Sequence, residues 1–370
     1  MRILFWLCFF LIAYAYVGYV LWLWVELRLH ESLFIKKETF PFVSIVIAAR
    51  NEEKNLVAKI ENLYGMNYPA DKVEIIVVSD GSTDGTEEIL LREVDRVVPV
   101  ILEKAQGKAA ALNEAVRRAT GEILVFLDVR QHVDPNAISE LTSCFADPDV
   151  GAVSGELLLE VPEGASHVHA LGSYWKIEKA VRKLESASGS VVGVTGAIYA
   201  IRRELYREIP AGTILDDVFV PMNVVRLGKR VVFQPSAIAR DRLFSEPGKE
   251  FNRKVRTLTG NYQLLRLAPW LLSFENPLLF RFLSHKVLRL MVPLLLIVML
   301  LSCWAAGGPF YHTIFWLQIV FYCLAAAGMV SSSMRRMKPV AVASTFVTLN
   351  AAAALALFNF VTGREKVWVR

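Results

Sequence analysis

The sequence is short of cysteine, of phosphate-loop motifs and of clustered histidine, and each shortage closes a class of function. Cys8, Cys144, Cys303 and Cys323 are the only cysteines in 370 residues. They stand too far apart for a disulfide framework or a zinc spacing, and so few unpaired thiols suit a soluble part in reducing cytoplasm. Neither GxGxxG nor the Walker pattern GxxxxGKS/T follows any strand-like run, which removes the usual support for a dinucleotide fold or a P-loop. Gly107-Lys108 is a lone pair. His167, His169 and His285 make no metal-ligand spacing with nearby acids and read as structural. Charge of one sign is not in large excess either. The net charge is +5 and the basic excess sits beside a hydrophobic run, which argues against nucleic-acid binding.

Apolar residues are what the chain has in surplus: 54% of it, with a mean hydropathy of +0.39, against roughly 45–50% in ordinary soluble domains. Uncharged runs lie at 3–25, 290–306, 309–334 and 339–363, and runs of this kind cross about 30 Å of hydrocarbon as helices. The first is longer than the apolar core of a cleaved signal, about 7–15 residues, and ends in Trp24, Glu26 and Arg28. The chain therefore divides into a transmembrane helix at 1–28, a domain at 40–245, an interfacial or juxtamembrane segment at 246–289, further membrane helices at 290–363 and a tail at 364–370. Arg28, Lys36 and Lys37 follow the first run, and Arg281, Lys286 and Arg289 precede the second. By the positive-inside rule the domain faces the cytoplasm, from an inner or plasma membrane. Arg364, Lys366 and Arg370 would be external after three late spans, so the last run reads as spanning, re-entrant or interfacial.

Between the hydrophobic ends, short β-branched runs alternate with helical stretches, the pattern of a mainly parallel sheet covered by helices, an α/β fold. Strands are expected at Val43–Ala48, Glu74–Ser79, Val97–Leu102 and Ile123–Leu127, and helices at Asn51–Leu63, Thr86–Glu93 and Lys108–Thr120. Ligands of such sheets bind beyond the carboxyl ends of the strands. There the chain places Arg50-Asn51-Glu52, then Asp80-Gly81-Ser82-Thr83-Asp84-Gly85-Thr86, then Asp128-Val129-Arg130. Each of these could be a turn and no more; together they converge on one edge.

In their order, Ser44-Ile45-Val46 with Asn51-Glu52-Glu53, Asp80 to Thr86, Gly107-Lys108 with Asn113, Asp128 with Pro135, the Gly-rich turn from Gly193 to Arg203, and Leu215-Asp216-Asp217 resemble family 2 glycosyltransferases. With the flanking runs, the chain is similar to the membrane-bound branch that includes cellulose, hyaluronan and poly-N-acetylglucosamine synthases. The resemblance implies a GT-A, Rossmann-like nucleotide-sugar domain and inverting transfer from a nucleotide diphosphate sugar, a UDP-sugar, to a glycan or lipid-linked acceptor. It implies a nucleotide-sugar site at Arg50, Asn51, Glu52, Asp80, Lys108, Asp128 and Arg130, with Asp80 on the uracil and Asp128 as the first acid of D-x-D. Asp217 matches the general base, with Asp216 beside it; Gly196, Arg253 and Arg256 fall on the acceptor side. A carboxylate next to another has a raised pKa and makes a better base, although two acids before Val218-Phe219-Val220 also fit a helix N-terminus.

Two motifs depart from the family pattern. The second acid of D-x-D, a metal ligand, is Arg130. Two readings stand: Arg130 with Lys108 supplies part of the metal's charge to the diphosphate, or Asp128, the diphosphate and water hold Mg²⁺ or Mn²⁺ while Arg130 pairs with Asp128. The Q-x-x-R-W motif reads Arg253-Lys254-Val255-Arg256-Thr257, without the Trp that stacks on a growing glycan. Around it, from Lys249 to Arg289, eight basic residues face only Glu250 and Glu275 and are interleaved with Trp270, Phe274 and Phe280, a composition suited to lipid headgroups. A glycolipid-forming single-sugar transferase and a catalytically inactive nucleotide-sugar sensor stand as alternatives to a polysaccharide-forming enzyme.

Overall fold

The computed structural model describes residues 1–160, 168–242 and 247–364. Among these residues eight strands form one sheet: β1 Val43–Ala49, β2 Val73–Asp80, β3 Val98–Leu102, β4 Ile123–Leu127, β5 His132–Val133, β6 Val150–Glu160, β7 Ile198–Arg202 and β8 Arg230–Arg242, in the order β3-β2-β1-β4-β7-β6-β8-β5. The first four pair in parallel, as their β-branched runs predict. The second half is mixed: β7 runs antiparallel between β4 and β6, while β6 and β8 are parallel.

Alternate residues of β1 feed two cores. Val43, Ile45 and Ile47 pack with Leu56, Ile60 and Leu63 of α2 (Leu56–Tyr64), Leu90 of α3 (Thr86–Arg92) and Leu141 of α5 (Ala137–Ser143). Val46 faces the other way, toward Leu112 of α4 (Lys108–Arg118), Met222 and Val224 of α7 (Asp216–Arg226) and Leu264 of α8 (Pro247–Leu267). The period of two along a strand is what sends its side chains to both layers. The helix expected from Asn51 starts at Leu56 instead. Asn51 has a left-handed φ of +55°, a conformation Asn tolerates better than most residues, and the chain turns there before the helix begins.

Among the described residues, four helices are long and apolar enough to cross a membrane: α1 Arg2–Leu29, α9 Leu279–Ala306, α10 Pro309–Val330 and α11 Lys338–Val361. The helix carrying the second hydrophobic run thus begins at Leu279, ahead of the uncharged stretch, and takes Arg281, His285, Lys286 and Arg289 into its first turns. Where α10 and α11 cross, a Cβ on Gly328 would stand 2.1 Å from the Ser344 hydroxyl oxygen. That approach needs a residue without a side chain, as small-residue contacts between membrane helices do. The remaining long helix, α6 (Val168–Ala187), lies between the sheet and the membrane helices.

Candidate active site

A cleft of about 1540 Å³ opens along the carboxyl edge of the sheet, larger than the roughly 300–1,000 Å³ of a single small-molecule pocket. Lys108, Asp128, Arg130, Gly196, Asp216, Asp217, Arg253 and Arg256 all line it. Eight of the twelve residues expected in the site therefore share one cavity.

Asp216 and Asp217 open α7, so the helix N-terminus and the paired acids are the same feature. Asp216 is buried and its Oδ2 lies 3.4 Å from Lys108 Nζ, which also reaches Asp128 Oδ1 at 3.1 Å. Burial pushes the Lys108 ammonium toward neutrality, but Asp128 and Asp216 outweigh it and hold its pKa above the ordinary value. The amine is a fixed cation. Asp217 behaves differently. Burial first and the charge of Asp216 second push its carboxyl up to about 6, against the opposing charges of Lys108, Lys286 and Arg182. Its Oδ1 is buried with no hydrogen-bond partner, so nothing donates to that oxygen to stabilise the anion. Oδ2 sits over Gly196, where a Cβ would come within 3.2 Å of it. The glycine leaves the carboxylate its place.

Asp128 and Arg130 follow β4 on a loop whose Gln131 carbonyl accepts a 2.8 Å bond from Lys59 Nζ of α2. Lys59 is buried; that burial lowers its pKa to about 7, with Asp128 pulling it up. The Arg130 guanidinium donates to Asp241 Oδ2 of β8 at 2.5 Å, an oxygen that also accepts from Gln131 at 2.9 Å. Two pairs stand here, Arg130 with Asp241 and Lys108 with Asp128. Among the described residues no three His, Cys, Asp or Glu side chains gather as a metal cage. A partly exposed cleft carboxylate such as Asp128 fits a different kind of metal site, in which Mg²⁺ or Mn²⁺ takes one or two carboxylates and completes its shell with substrate phosphates and water.

Arg50, Asn51, Glu52 and Asp80 do not line the cleft. Asn51 Oδ1 accepts from Thr83 N at 2.8 Å, and Glu52 N donates to Thr86 Oγ1 at 2.8 Å, so these residues lock the loop after β1 to the loop after β2. Arg50 is partly exposed at the end of β1. Asp80, expected on a uracil, is fully buried, and its two oxygens accept from the amides of Gln106 at 2.6 Å and Gly107 at 2.9 Å. An acid is favoured there by the N-terminus of α4. The loop that donates those amides packs on Gly81, where a Cβ would meet Ala105 N at 2.4 Å, and it covers Asp80 from solvent.

Several cleft residues had no signature in the sequence. His285 of α9 is buried, with Nδ1 2.8 Å from Glu185 and Nε2 3.0 Å from Glu178, both on α6. Burial pushes the Glu178 carboxyl up, but His285, Arg289 and Lys286 hold it well below the usual range; His285 and the Tyr19 hydroxyl overcome burial at Glu185 in the same way. Arg281 donates to the carbonyls of Glu185 and Ser190 and pairs with Glu26 of α1 at 2.9 Å. His285 is thus structural, as expected, and forms a buried polar tie between α6 and α9. His167 and the side chains of His169 and Lys249 lie outside what is described. Charged residues at 178, 182 and 185, spaced i, i+4, i+7 along one helix, were the available sign of a shared face.

Comparison with known proteins agrees with the geometry. Residues 44–210 match the model of glycosyl transferase family 2. The poly-beta-1,6-N-acetyl-D-glucosamine synthase of Staphylococcus aureus is 25% identical over 252 residues, 65% of this chain and 60% of that protein. The Staphylococcus epidermidis enzyme of the same name is 25% identical over 275 residues, 70% of this chain and 65% of its own length. The chain thus spans about 60% of the curated relatives it matches. A mannosyltransferase from Pyrobaculum calidifontis, solved with GDP-Man and Mn²⁺, shares the fold over 97% of this chain and 99% of its own, with a TM-score of 0.71 at 23% identity. The fold class is GT-A, and the central part of this chain is a family 2 glycosyltransferase domain, homologous to that of the poly-N-acetylglucosamine synthases.

Proposed function

We propose that the chain is an inverting glycosyltransferase that moves one sugar from a nucleotide diphosphate donor to an acceptor delivered at the membrane, with its catalytic domain on the cytoplasmic side. The observation that carries this reading is Asp217: a carboxylate in the cleft wall, pushed up to about 6, with one oxygen lacking any donor. A base of that strength is ionised at neutral pH yet basic enough to take a hydroxyl proton as the oxygen becomes nucleophilic. Asp217 removes the proton of the acceptor hydroxyl; the acceptor oxygen bonds to the anomeric carbon from the face opposite the donor; the bond to the diphosphate oxygen breaks; and the nucleoside diphosphate leaves with both electrons of that bond.

The leaving group gains negative charge, and the permanent cation of Lys108 is set to meet it, with the Arg130 guanidinium as a second contact. Asp128 would hold a divalent cation together with the donor's phosphates; when bound, such an ion supplies further positive charge to the leaving diphosphate. Asp80, Asn51, Glu52 and Arg50 form the wall on the nucleoside side, which requires the loop over Asp80 to lift when a nucleotide enters. Arg253 and Arg256, on α8, border the acceptor side beside Gly196.

Membranes containing the chain, given a panel of radiolabelled UDP- and GDP-sugars, test the reading once the products are separated into lipid and polymer fractions. Incorporation from one donor, abolished by Asp217→Asn, is the expected result. Tight nucleotide binding with no hydrolysis or transfer to either fraction would make the domain a sensor.

A further inference from the structure

Arg182 and Lys286 are among the cleft cations that have no carboxylate pair. Arg182 of α6 donates to the Thr195 hydroxyl at 2.5 Å, and Lys286 of α9 brings its Nζ to 3.9 Å from where a Cβ on Gly193 would stand. Neither makes an ion pair among the described residues. The acids around them are already engaged: Glu178 with His285 and Arg289, Glu156 with Lys179, and Glu250 with Arg253. Arg182 and Lys286 both lower the pKa of Asp217 through their charge, so they flank the base itself.

These cations come from elements other than those that serve the donor. Lys108 and Arg130 stand at the sheet edge, packed against Asp128 and Asp241. Arg182 and Lys286 stand on α6 and on the first turns of a membrane helix, and the cleft they line continues to Leu355, Asn359 and Arg364 at the end of the last apolar helix. Both are half-buried on the cleft wall, and a guanidinium with an ammonium on one wall is a phosphate-binding chemistry.

We propose that Arg182 and Lys286 seat the phosphate ester of a lipid-linked acceptor, bringing its sugar hydroxyl to Asp217 while the lipid chain leaves along the end of α11. This rests on the glycosyl-transfer reading of the cleft and narrows it to an anionic acceptor class. The phosphate could instead be that of a bilayer headgroup, and the test separates the two.

The full chain in neutral detergent, with saturating UDP or GDP filling the donor side, is titrated with farnesyl phosphate and with farnesol. The phosphate should bind at least tenfold more tightly. Lys286→Gln and Arg182→Gln should each remove most of that preference, Arg182→Lys should keep it, and the nucleotide Kd should stay constant in all three. Equal binding of phosphate and alcohol would overturn the proposal. So would displacement of the nucleotide by farnesyl phosphate, which would give these cations to the donor, or competition by phosphatidylglycerol as strong as that of farnesyl phosphate, which would make the seat a headgroup site. Because binding is read without turnover, a chain that keeps the preference but transfers no sugar would sink only the transfer reading.

Discussion

If Asp217 is the base, its raised pKa sets the acid limb of the reaction. A carboxyl at about 6 is about nine-tenths protonated at pH 5, so kcat/KM for the acceptor should fall about tenfold between pH 7.5 and pH 5. An ordinary aspartate, near 3.8, would keep about nine-tenths of its activity over the same interval. The slope at pH 5 therefore separates the two situations without any substitution. Burial is the larger cause of the shift and Asp216 the next. Asp216→Asn, which removes one like charge and leaves the burial, should move the limb to lower pH without erasing it. The assay is initial-rate transfer in detergent at constant ionic strength, with donor saturating and acceptor well below its KM, so that the free enzyme is reported. A wild-type limb near pH 4, or an Asp216→Asn limb that does not move, would refute the assignment of Asp217 and the cause given for its basicity.

The same shift has a cost in stability. A carboxyl whose folded pKa lies above its unfolded value destabilises the fold above that folded pKa and not below the unfolded one; from 3.8 to about 6 this is about 3 kcal/mol at neutral pH. Asp217→Asn should therefore abolish transfer and raise the melting temperature at pH 7.5, with the gain gone near pH 3.5. Gly196→Ala would place a methyl 3.2 Å from Asp217 Oδ2; a displacement of a few tenths of an ångström should lower kcat about tenfold while leaving nucleotide binding, measured by calorimetry, unchanged. His285→Ala leaves two buried glutamates without the ring between them and should cost about 3–5 kcal/mol, read as a lower melting temperature in detergent. Turnover should vanish in EDTA and return with Mn²⁺ or Mg²⁺, because Arg130 is already committed to Asp241; turnover that survives EDTA would give Arg130 and Lys108 the whole charge of the missing metal.

Local pattern was enough for part of this molecule. β1 to β4 are β-branched runs with turn residues at their carboxyl ends, and in a parallel sheet those ends share an edge, so Asp128 could be placed there from spacing, while Lys108 came with the resemblance. The paired acids Asp216 and Asp217 read as a helix start, and they open α7; the role of Asp217 as base came with the resemblance and stands as a proposal. The sequence was silent where partners lie more than 90 residues apart. Nothing near Arg130 points to Asp241, 111 positions away, and nothing near His285 points to Glu178 and Glu185. The antiparallel half of the sheet also escaped, because β7 inserts between β4 and β6, an order that hydrophobic alternation does not encode. Asp80 was placed by resemblance in a ligand role, whereas the amides of Gln106 and Gly107 claim its oxygens.

The membrane helices are more than an anchor, because the charges that fix them also form the site. Arg281 and His285, one turn apart on α9, are buried against α6 and, through Glu26 and Tyr19, against α1. Lys286, the next residue on α9, enters the cleft and acts on Asp217. A rotation of α9 that carried Lys286 away from the base would also strip His285 from its two glutamates and Arg281 from its carbonyls, leaving several buried charges unpaired at once. Each of those losses costs kilocalories, and rotation makes them simultaneous. The cleft wall next to the bilayer is therefore held in one register with the sheet edge that carries Asp128 and Lys108. On the proposed reading, an acceptor arriving from the membrane would meet a base and a cation whose separation is set by the fold, and the part required to move would be the loop seated over Asp80 on the donor side.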